Sequence, residues 1–282
     1  MKTLKELMTN PNWDLKTTYL VLIIIFVLSL GLRISQPFLS DRITKDGVLY
    51  VRMAKDLTKE HRIHKPFERN RRIPPLYIYM IAGFAKYLNI SFETAGRFIS
   101  ILAGALLIFP VFFISEYIFD SRIAAISAIL ICFNPSLVDI SATIMRDSLF
   151  ATLLFSTIFF IIKSINMQNN KSFIFWILSG IFLTLAIATR NEAVEIVGIT
   201  VVFILLCNSF KRTRLKLKLN ILNLFAGFSL MLAISYIVSI PISNSLKGTN
   251  STWTLIDQRI PSYLQSILHI SKEEALKKED TL

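Results

Sequence analysis

The sequence predicts an all-α, polytopic membrane protein with about seven transmembrane helices. Hydrophobic residues make up 53% of the chain and charged residues only 18%. The apolar residues fall in blocks of about 20, which is the length that a bilayer-spanning helix needs. These blocks are apolar on all sides rather than along one stripe, which favours helices surrounded by lipid over the surface helices of a soluble protein.

Eight apolar blocks follow one another along the chain. They lie at residues 18–38, 74–90, 98–119, 123–138, 149–165, 173–189, 193–210 and 219–240. We expect residues 1–240 to form one transmembrane module with a long outer loop at residues 39–73. We expect residues 241–282 to form a polar outer tail, which would be the start of a further C-terminal region.

The block at residues 74–90 is the exception, because two prolines open it and Lys86 and Asn89 interrupt a short apolar run. Residues 211–218 carry five positive charges and no acidic residue, so the positive-inside rule places them in the cytoplasm with the N-terminus. An even number of spans must then separate these two segments. Treating residues 74–90 as an interfacial or re-entrant helix satisfies this condition and leaves seven spans in total.

The same topology groups four polar segments on the outer side of the membrane. They are the loop 39–73, the turn 134–147, the turn 190–192 and the tail 241–282. We therefore expect the chemistry of the protein on the outer face.

The basic character of the chain does not by itself indicate a nucleic-acid partner. The formal net charge is +12, but Lys and Arg concentrate in two segments between apolar blocks, where anionic lipid headgroups are nearer. Cys132 and Cys207 lie inside apolar blocks and indicate neither a disulfide framework nor a nucleophile. His61 and His64 could share a helix face as metal ligands, but no acidic or cysteine cluster adjoins them, so no metal ligand is assigned. A divalent metal stays open.

The outer loop contains a predicted amphipathic helix at residues 46–57. One face of this helix carries Leu49, Tyr50, Met53 and Leu57, with charged residues opposite. Such a helix is expected to lie flat in the membrane interface. Asp46 begins the helix, and by itself it is either an N-cap for backbone N–H groups or a functional carboxylate.

The outer loop is also rich in cations, with ten Lys or Arg residues against five Asp or Glu residues. Four of them flank the point where the chain returns to the membrane: Lys65, Arg69, Arg71 and Arg72. Arginine suits bidentate contacts to phosphate, so this cluster is either a phosphate site or a set of charges attracted to lipid headgroups. The sequence leaves these two interpretations equal for any single residue.

Four short motifs follow one another along the chain. They are Asp46-Gly47 followed by Tyr50, Pro74-Pro75-Leu76-Tyr77, Arg146-Asp147-Ser148-Leu149-Phe150, and Ala188-Thr189-Arg190-Asn191-Glu192. In order and spacing, residues 18–240 resemble the GT-C superfamily of glycosyltransferases, and within it the protein O-mannosyltransferase and lipid A aminoarabinose transferase group of family 39. Two positions depart from that group, since Asp147 replaces the commoner Glu and Asn191 replaces Pro.

The resemblance implies a plasma-membrane glycosyltransferase that moves a hexose or pentose from a polyprenyl-phosphate-linked donor to an acceptor on the outer face. Such transfer needs a carboxylate that deprotonates or orients the acceptor hydroxyl, and cations that stabilise the departing phosphate. The resemblance assigns the catalytic role to Asp46 and Asp147. It assigns the donor phosphate to Lys65, Arg69, Arg71, Arg72 and Arg190.

Alternatives stay open for individual residues and for the chain. Arg190 and Asp147 could form a purely structural ion pair, and Asp139 and Glu195, which match no motif, are interpreted as snorkelling or pairing residues. Family members usually continue with further membrane helices that help hold the donor, so a companion membrane chain is an expected partner. The chain could also be a non-catalytic lipid-phosphate-binding subunit or a truncated remnant. A small secondary transporter would show paired broken helices in two halves, and none is visible.

Overall fold

The computed structural model of the protein describes residues 13–39, 43–60, 73–166 and 172–195, with isolated positions at 198, 199, 202, 229 and 233. In these residues it contains nine α-helices, one 3-10 turn and no β-strand. The helices are α1 (Leu15–Leu39), α2 (Lys45–Glu60), α3 (Leu76–Leu88), α4 (Phe92–Leu106), α5 (Ile108–Ile118), α6 (Ser121–Phe133), α7 (Pro135–Ala142), α8 (Asp147–Asn166) and α9 (Ser172–Ile187), and the 3-10 turn is Asn191–Val194. The predicted all-α class is confirmed.

Within the described residues, three helical stretches are long and apolar enough to cross a membrane. They are Lys16–Gln36, Phe92–Ile118 and Asp147–Ile165. Helices α6 and α7 together make a fourth if the bent pair is taken as one span. Most of the predicted blocks at residues 193–210 and 219–240 lies outside the described residues, as do the whole charged segment 211–218 and the tail. The count of seven spans and the division at residue 240 therefore stay predictions.

Helix α3 is the element that the sequence excluded from the spans. It has 13 residues, which is about 20 Å of helix against a hydrocarbon core of about 30 Å. Asn89 ends it in the left-handed region with φ of 52°, and α4 then runs back against it. Tyr77, Ile78 and Ile81 are fully buried between α3 and its neighbours. The block at residues 74–90 is therefore a short helix packed on protein, and it is too short to span.

Helices α6 and α7 meet at a bend of 53°. Pro135 has no N–H group, so the carbonyl of Ile131, four residues earlier, loses the donor that a continuous helix would provide. Arg33 of α1 supplies a replacement, since its Nη2 donates to that carbonyl at 3.4 Å. The Arg33 side chain is fully buried, and its Nη1 also donates to the carbonyl of Ser29 at 3.2 Å. A buried arginine thus joins the first span to the break.

Gly104 of α4 packs closely against α7 and against Arg33 of α1. A Cβ atom at this position would be 2.5 Å from the Cβ of Ser141 on α7 and 3.0 Å from the Nε of Arg33. No room exists for a methyl group unless a helix moves.

We expect Gly104→Ala to lower the free energy of unfolding by about 1–3 kcal/mol, because overpacking forces the surrounding helices apart. Gly83→Ala is the matched control in α3, where no atom lies within 4 Å of the added Cβ. It should be neutral or add about 0.5 kcal/mol by restricting the unfolded chain. Thermal unfolding of both variants in one detergent measures the difference, and equal melting temperatures would contradict the close packing.

Candidate active site

Four segments that are distant in sequence meet at one end of the helices. They are the start of α2, the start of α3, residues 143–147 before α8, and residues 188–194 after α9. The backbone N–H of Leu76 donates to the carbonyl of Ala188 at 3.0 Å. The Nη1 of Arg146 donates to the carbonyl of Thr189 at 3.3 Å. The motifs that carry the resemblance are thus brought together in space.

The first turn of α2 holds Asp46 in the open. The hydroxyl of Thr44 accepts a hydrogen bond from the backbone N–H of Gly47 at 3.0 Å, which is the bond that an N-cap residue makes. Asp46 lies one residue inside the helix and is exposed. The interpretation of Asp46 as the N-cap is therefore wrong, because Thr44 has that role. The carboxylate of Asp46 is left available for chemistry.

Gly47 allows α2 to begin close to the chain ahead of α8. A Cβ atom on Gly47 would lie 3.0 Å from the carbonyl oxygen of Ile144 and 3.1 Å from its Cβ. This is tighter than ordinary van der Waals contact. The absence of a side chain therefore brings the helix that carries Asp46 next to the segment that carries Asp147.

The face of α2 that the sequence assigned to lipid is covered by protein. Tyr50 and Met53 are buried, and so are Val51 and Ala54 beside them. They pack against α3 and α4, and Lys55 bridges to Glu93 at the start of α4 with an Nζ–Oε1 distance of 2.8 Å. The expectation that this face rests on lipid is wrong for these residues, because α3 and α4 occupy that place.

Asp147, Arg190 and Glu192 form an ion network. The Nη1 of Arg190 donates to the Oδ1 of Asp147, and its Nε donates to the Oε2 of Glu192 at 3.4 Å. The guanidinium also lies 5.4 Å from the centre of the Phe150 ring. Partial burial raises the pKa of Glu192, but its backbone hydrogen bond and the charges of Arg190 and Arg146 outweigh this and hold the pKa below its usual range. Arg190 is therefore paired with two carboxylates, and the ionised form of Glu192 is favoured by the neighbouring cations.

Tyr50 lies at the centre of these charges. Its ring packs edge-to-face on Tyr77 with centroids 5.5 Å apart, and the guanidinium of Arg146 lies 5.9 Å from the ring centre. Burial raises the pKa of the Tyr50 hydroxyl; the positive charge of Arg146 lowers it, and the negative charges of Asp46 and Asp147 raise it further, with a net upward shift. The Tyr50 hydroxyl therefore stays protonated at neutral pH.

A hydrogen-bonded serine fixes the turn ahead of Arg146 and Asp147. The Oγ of Ser100 on α4 donates to the carbonyl of Met145 at 2.9 Å and accepts from its N–H at 3.3 Å. The Tyr77 hydroxyl lies 2.7 Å from the same Oγ and also donates to the carbonyl of Gly96 at 3.0 Å. Sequence reasoning missed Ser100, and the signal available was a hydroxyl in an otherwise apolar helix near the quoted Tyr77.

We expect Ser100→Ala to lower sugar transfer about 10-fold or more, because a displacement of about 1 Å in a site can cost about 100-fold. Ser127→Ala on α6 is the matched control, since the hydroxyl of Ser127 bonds only to the carbonyl of Ile123 in its own helix, at 2.9 Å. Transfer assays on both variants at equal expression test this. Equal rates would show that Ser100 has no part in positioning Asp147.

Some predicted residues lie outside the described part of the chain. They are Lys65, Arg69, Arg71 and Arg72, together with His61 and His64. Asp139 and Glu195 are described and exposed. Among the described residues, no three His, Cys, Asp or Glu side chains lie close enough to hold a metal ion. The side chains of this part of the chain therefore do not provide the ligands that a resident metal ion needs.

Among the described residues, the all-helical arrangement with acidic and basic side chains gathered at one end of the helices fits the GT-C class that the sequence resembles. The family model of the dolichyl-phosphate-mannose-protein mannosyltransferases matches residues 72–238, more than half of the chain. The chain belongs to this family. The resemblance drawn from the short motifs is thereby confirmed. A comparison with curated proteins gives no match.

Solved structures of an archaeal oligosaccharyltransferase share the fold. AglB from Archaeoglobus fulgidus, in complex with an inhibitory peptide and a dolichol-phosphate, is 20% identical with a TM-score of 0.68 over 79% of this chain and 29% of its own. The apo form of the Archaeoglobus fulgidus enzyme is 19% identical with a TM-score of 0.68 over 81% of this chain and 30% of its own. A complex of that enzyme with Zn and sulfate is 20% identical with a TM-score of 0.65, over 79% and 31%. The chain thus spans under a third of these proteins, and the likeness shows the fold alone.

Proposed function

We propose that the protein transfers a sugar from a polyprenyl-phosphate-linked donor to an acceptor at the outer face of the plasma membrane. The observation that carries the proposal is the meeting of three separate segments: the start of α2, which bears Asp46, packs against Ile144 just ahead of Asp147, and Asp147 pairs with Arg190. Membership of the mannosyltransferase family supports a lipid-linked donor. The dolichol-phosphate and the acceptor peptide bound to the archaeal neighbours support the same class of substrates.

Asp46 is the proposed general base. It accepts the proton of the acceptor hydroxyl as that oxygen forms a bond to the anomeric carbon of the sugar. The bond between that carbon and the phosphate oxygen breaks, and its electron pair leaves with the polyprenyl phosphate. Asp46 suits this step because it is exposed, is not used as a cap, and lies beside the remaining charges.

Asp147 and Arg190 are proposed to orient the reacting groups as an ionised pair. The cations of the outer loop, Lys65, Arg69, Arg71 and Arg72, are proposed to bind the donor phosphate as it approaches. A companion membrane chain is proposed as a partner that adds donor-binding helices. These roles follow from residue type and the family resemblance.

The test is a transfer assay in vesicles. The purified chain, with and without a companion membrane chain, is supplied with a panel of short-chain polyprenyl-phosphate hexoses and pentoses and with membrane extract as acceptor. Release of polyprenyl phosphate that depends on the protein is the expected result. Saturable binding of polyprenyl phosphate without any transfer would contradict the proposal and identify a non-catalytic lipid-phosphate-binding subunit.

A further inference from the structure

We propose that Arg146 binds the phosphate group of the lipid-linked donor, an assignment that rests on the proposed function. The family resemblance implied this role for Arg190, together with cations of the outer loop. The geometry points to Arg146 because it is the cation at this site that the described residues leave without a carboxylate partner.

The charge of Arg190 is already balanced. Its guanidinium donates to Asp147 through Nη1 and to Glu192 through Nε. Two carboxylates share this one guanidinium, so the anionic phosphate diester of the donor would be repelled by them if it were placed there. To bind phosphate, Arg190 would have to release Asp147, which is itself a predicted catalytic residue.

Arg146 is in the opposite situation. Its guanidinium makes one hydrogen bond, from Nη1 to the carbonyl of Thr189 at 3.3 Å, and within the described residues no carboxylate oxygen lies within 4.0 Å. Arginine has five N–H donors, so most of them stay available, and two can form the parallel bonds that suit a phosphate. The residue is half-buried, which keeps the charge accessible and only partly screened by water.

Arg146 is also held in place before any ligand arrives. The Tyr50 ring supports the guanidinium at 5.9 Å, the Thr189 carbonyl fixes one edge, and the preceding residue, Met145, is bonded through both backbone groups to Ser100. A guanidinium that is already oriented loses less entropy on binding than a free surface arginine. Its position between Tyr50 and the Asp147 turn puts it beside the acidic groups that act on the acceptor.

The chemistry of transfer uses a cation at this point. When the bond between the anomeric carbon and the phosphate oxygen breaks, the phosphate diester of the donor becomes a monoester and gains one negative charge. Arg146 stabilises that added charge while Asp46 holds the proton from the acceptor hydroxyl. A preorganised cation has its largest effect where charge develops during the reaction.

The experiment measures binding of a short-chain polyprenyl phosphate, which carries no sugar and therefore reports recognition without turnover. We expect Arg146→Gln to weaken binding about 10- to 100-fold, which is the range for loss of charge-assisted hydrogen bonds. The affinity of Arg146→Lys should lie between those of the wild type and Arg146→Gln, because lysine keeps the charge but loses the bidentate fork of the guanidinium. Arg52→Gln is the matched control, since Arg52 is an exposed arginine on α2, and it should change binding less than 2-fold.

Competition separates a built site from general attraction to lipid headgroups. Phosphatidic acid, a phosphomonoester on a different lipid, should compete only weakly with polyprenyl phosphate for the wild-type protein. It should compete equally weakly for Arg52→Gln. Equal losses for Arg146→Gln and Arg52→Gln, or full competition by phosphatidic acid, would overturn the assignment. If the wild type transfers sugar and Arg146→Gln binds polyprenyl phosphate as tightly as the wild type does, the role of Arg146 is overturned and the proposed function stands. Absence of both binding and transfer in the wild type would overturn the proposed function as well.

Discussion

Replacing Asp46 by Asn should lower sugar transfer by about 100- to 10,000-fold, which is the usual contribution of a general base. The fold should survive the change for a reason that the structure supplies. Thr44 caps α2 through Gly47, so the helix does not need the carboxylate of Asp46. The favourable effect of an acidic residue in the first turn of a helix is only about 0.3–1 kcal/mol.

Two variants make this test specific. Asp56→Asn removes a carboxylate from the same helix ten residues further on and should leave transfer near the wild-type rate. Thr44→Ala removes the cap and should cost about 1 kcal/mol of stability while leaving the carboxylate of Asp46 in place. Transfer by Asp46→Asn at more than half the wild-type rate, with normal melting, would move the base to Asp147.

The apolar pattern was sufficient to predict most of the fold in the described residues. Blocks of about 20 apolar residues became helices because lipid leaves backbone groups no other partner. The two prolines and Asn89 were sufficient to exclude the 74–90 block, since α3 begins after Pro75 and ends before Asn89, which leaves 13 residues. The break at Asn134 was predicted only in part. The expected outer turn begins at Asn134, but the apolar block was continued to residue 138, and the new helix that Asn134-Pro135 starts was not predicted.

The site was predictable where it depends on motifs and unpredictable where it depends on packing. The order of the motifs indicated that Asp46, Asp147 and Arg190 belong together, and the outer-face topology put them on one side. Arg33 and Ser100 were not found, because their partners lie 98 and 45 residues away. No local periodicity records such contacts. The N-cap role was left open for Asp46, and Thr44 was not considered for it. Both residue types are good caps, and only the backbone decides between them.

Replacing Asp147 by Asn should lower transfer about 100- to 1,000-fold, the range for loss of a preorganised electrostatic group. Its effect on stability should be small, at about 1 kcal/mol or less, because the side chains of Asp147 and Arg190 are 29% and 31% exposed and water screens their interaction. Asp147→Glu should keep much of the activity, since it retains the carboxylate that the family commonly has here. Transfer rates and melting temperatures of the same preparations measure both effects.

The double variant Asp147→Asn/Arg190→Gln separates catalysis from structure. The double variant removes both partners of this ion pair and leaves only Glu192, whose side chain is 43% exposed, without its cation. Stability should therefore return towards the wild-type value after the loss seen in Arg190→Gln alone, where Asp147 and Glu192 would face each other without a cation. If the pair serves only to hold α8 against the end of α9, transfer should return with stability. A catalytic Asp147 requires the opposite result, in which the double variant melts like the wild type and still transfers at least 100-fold more slowly.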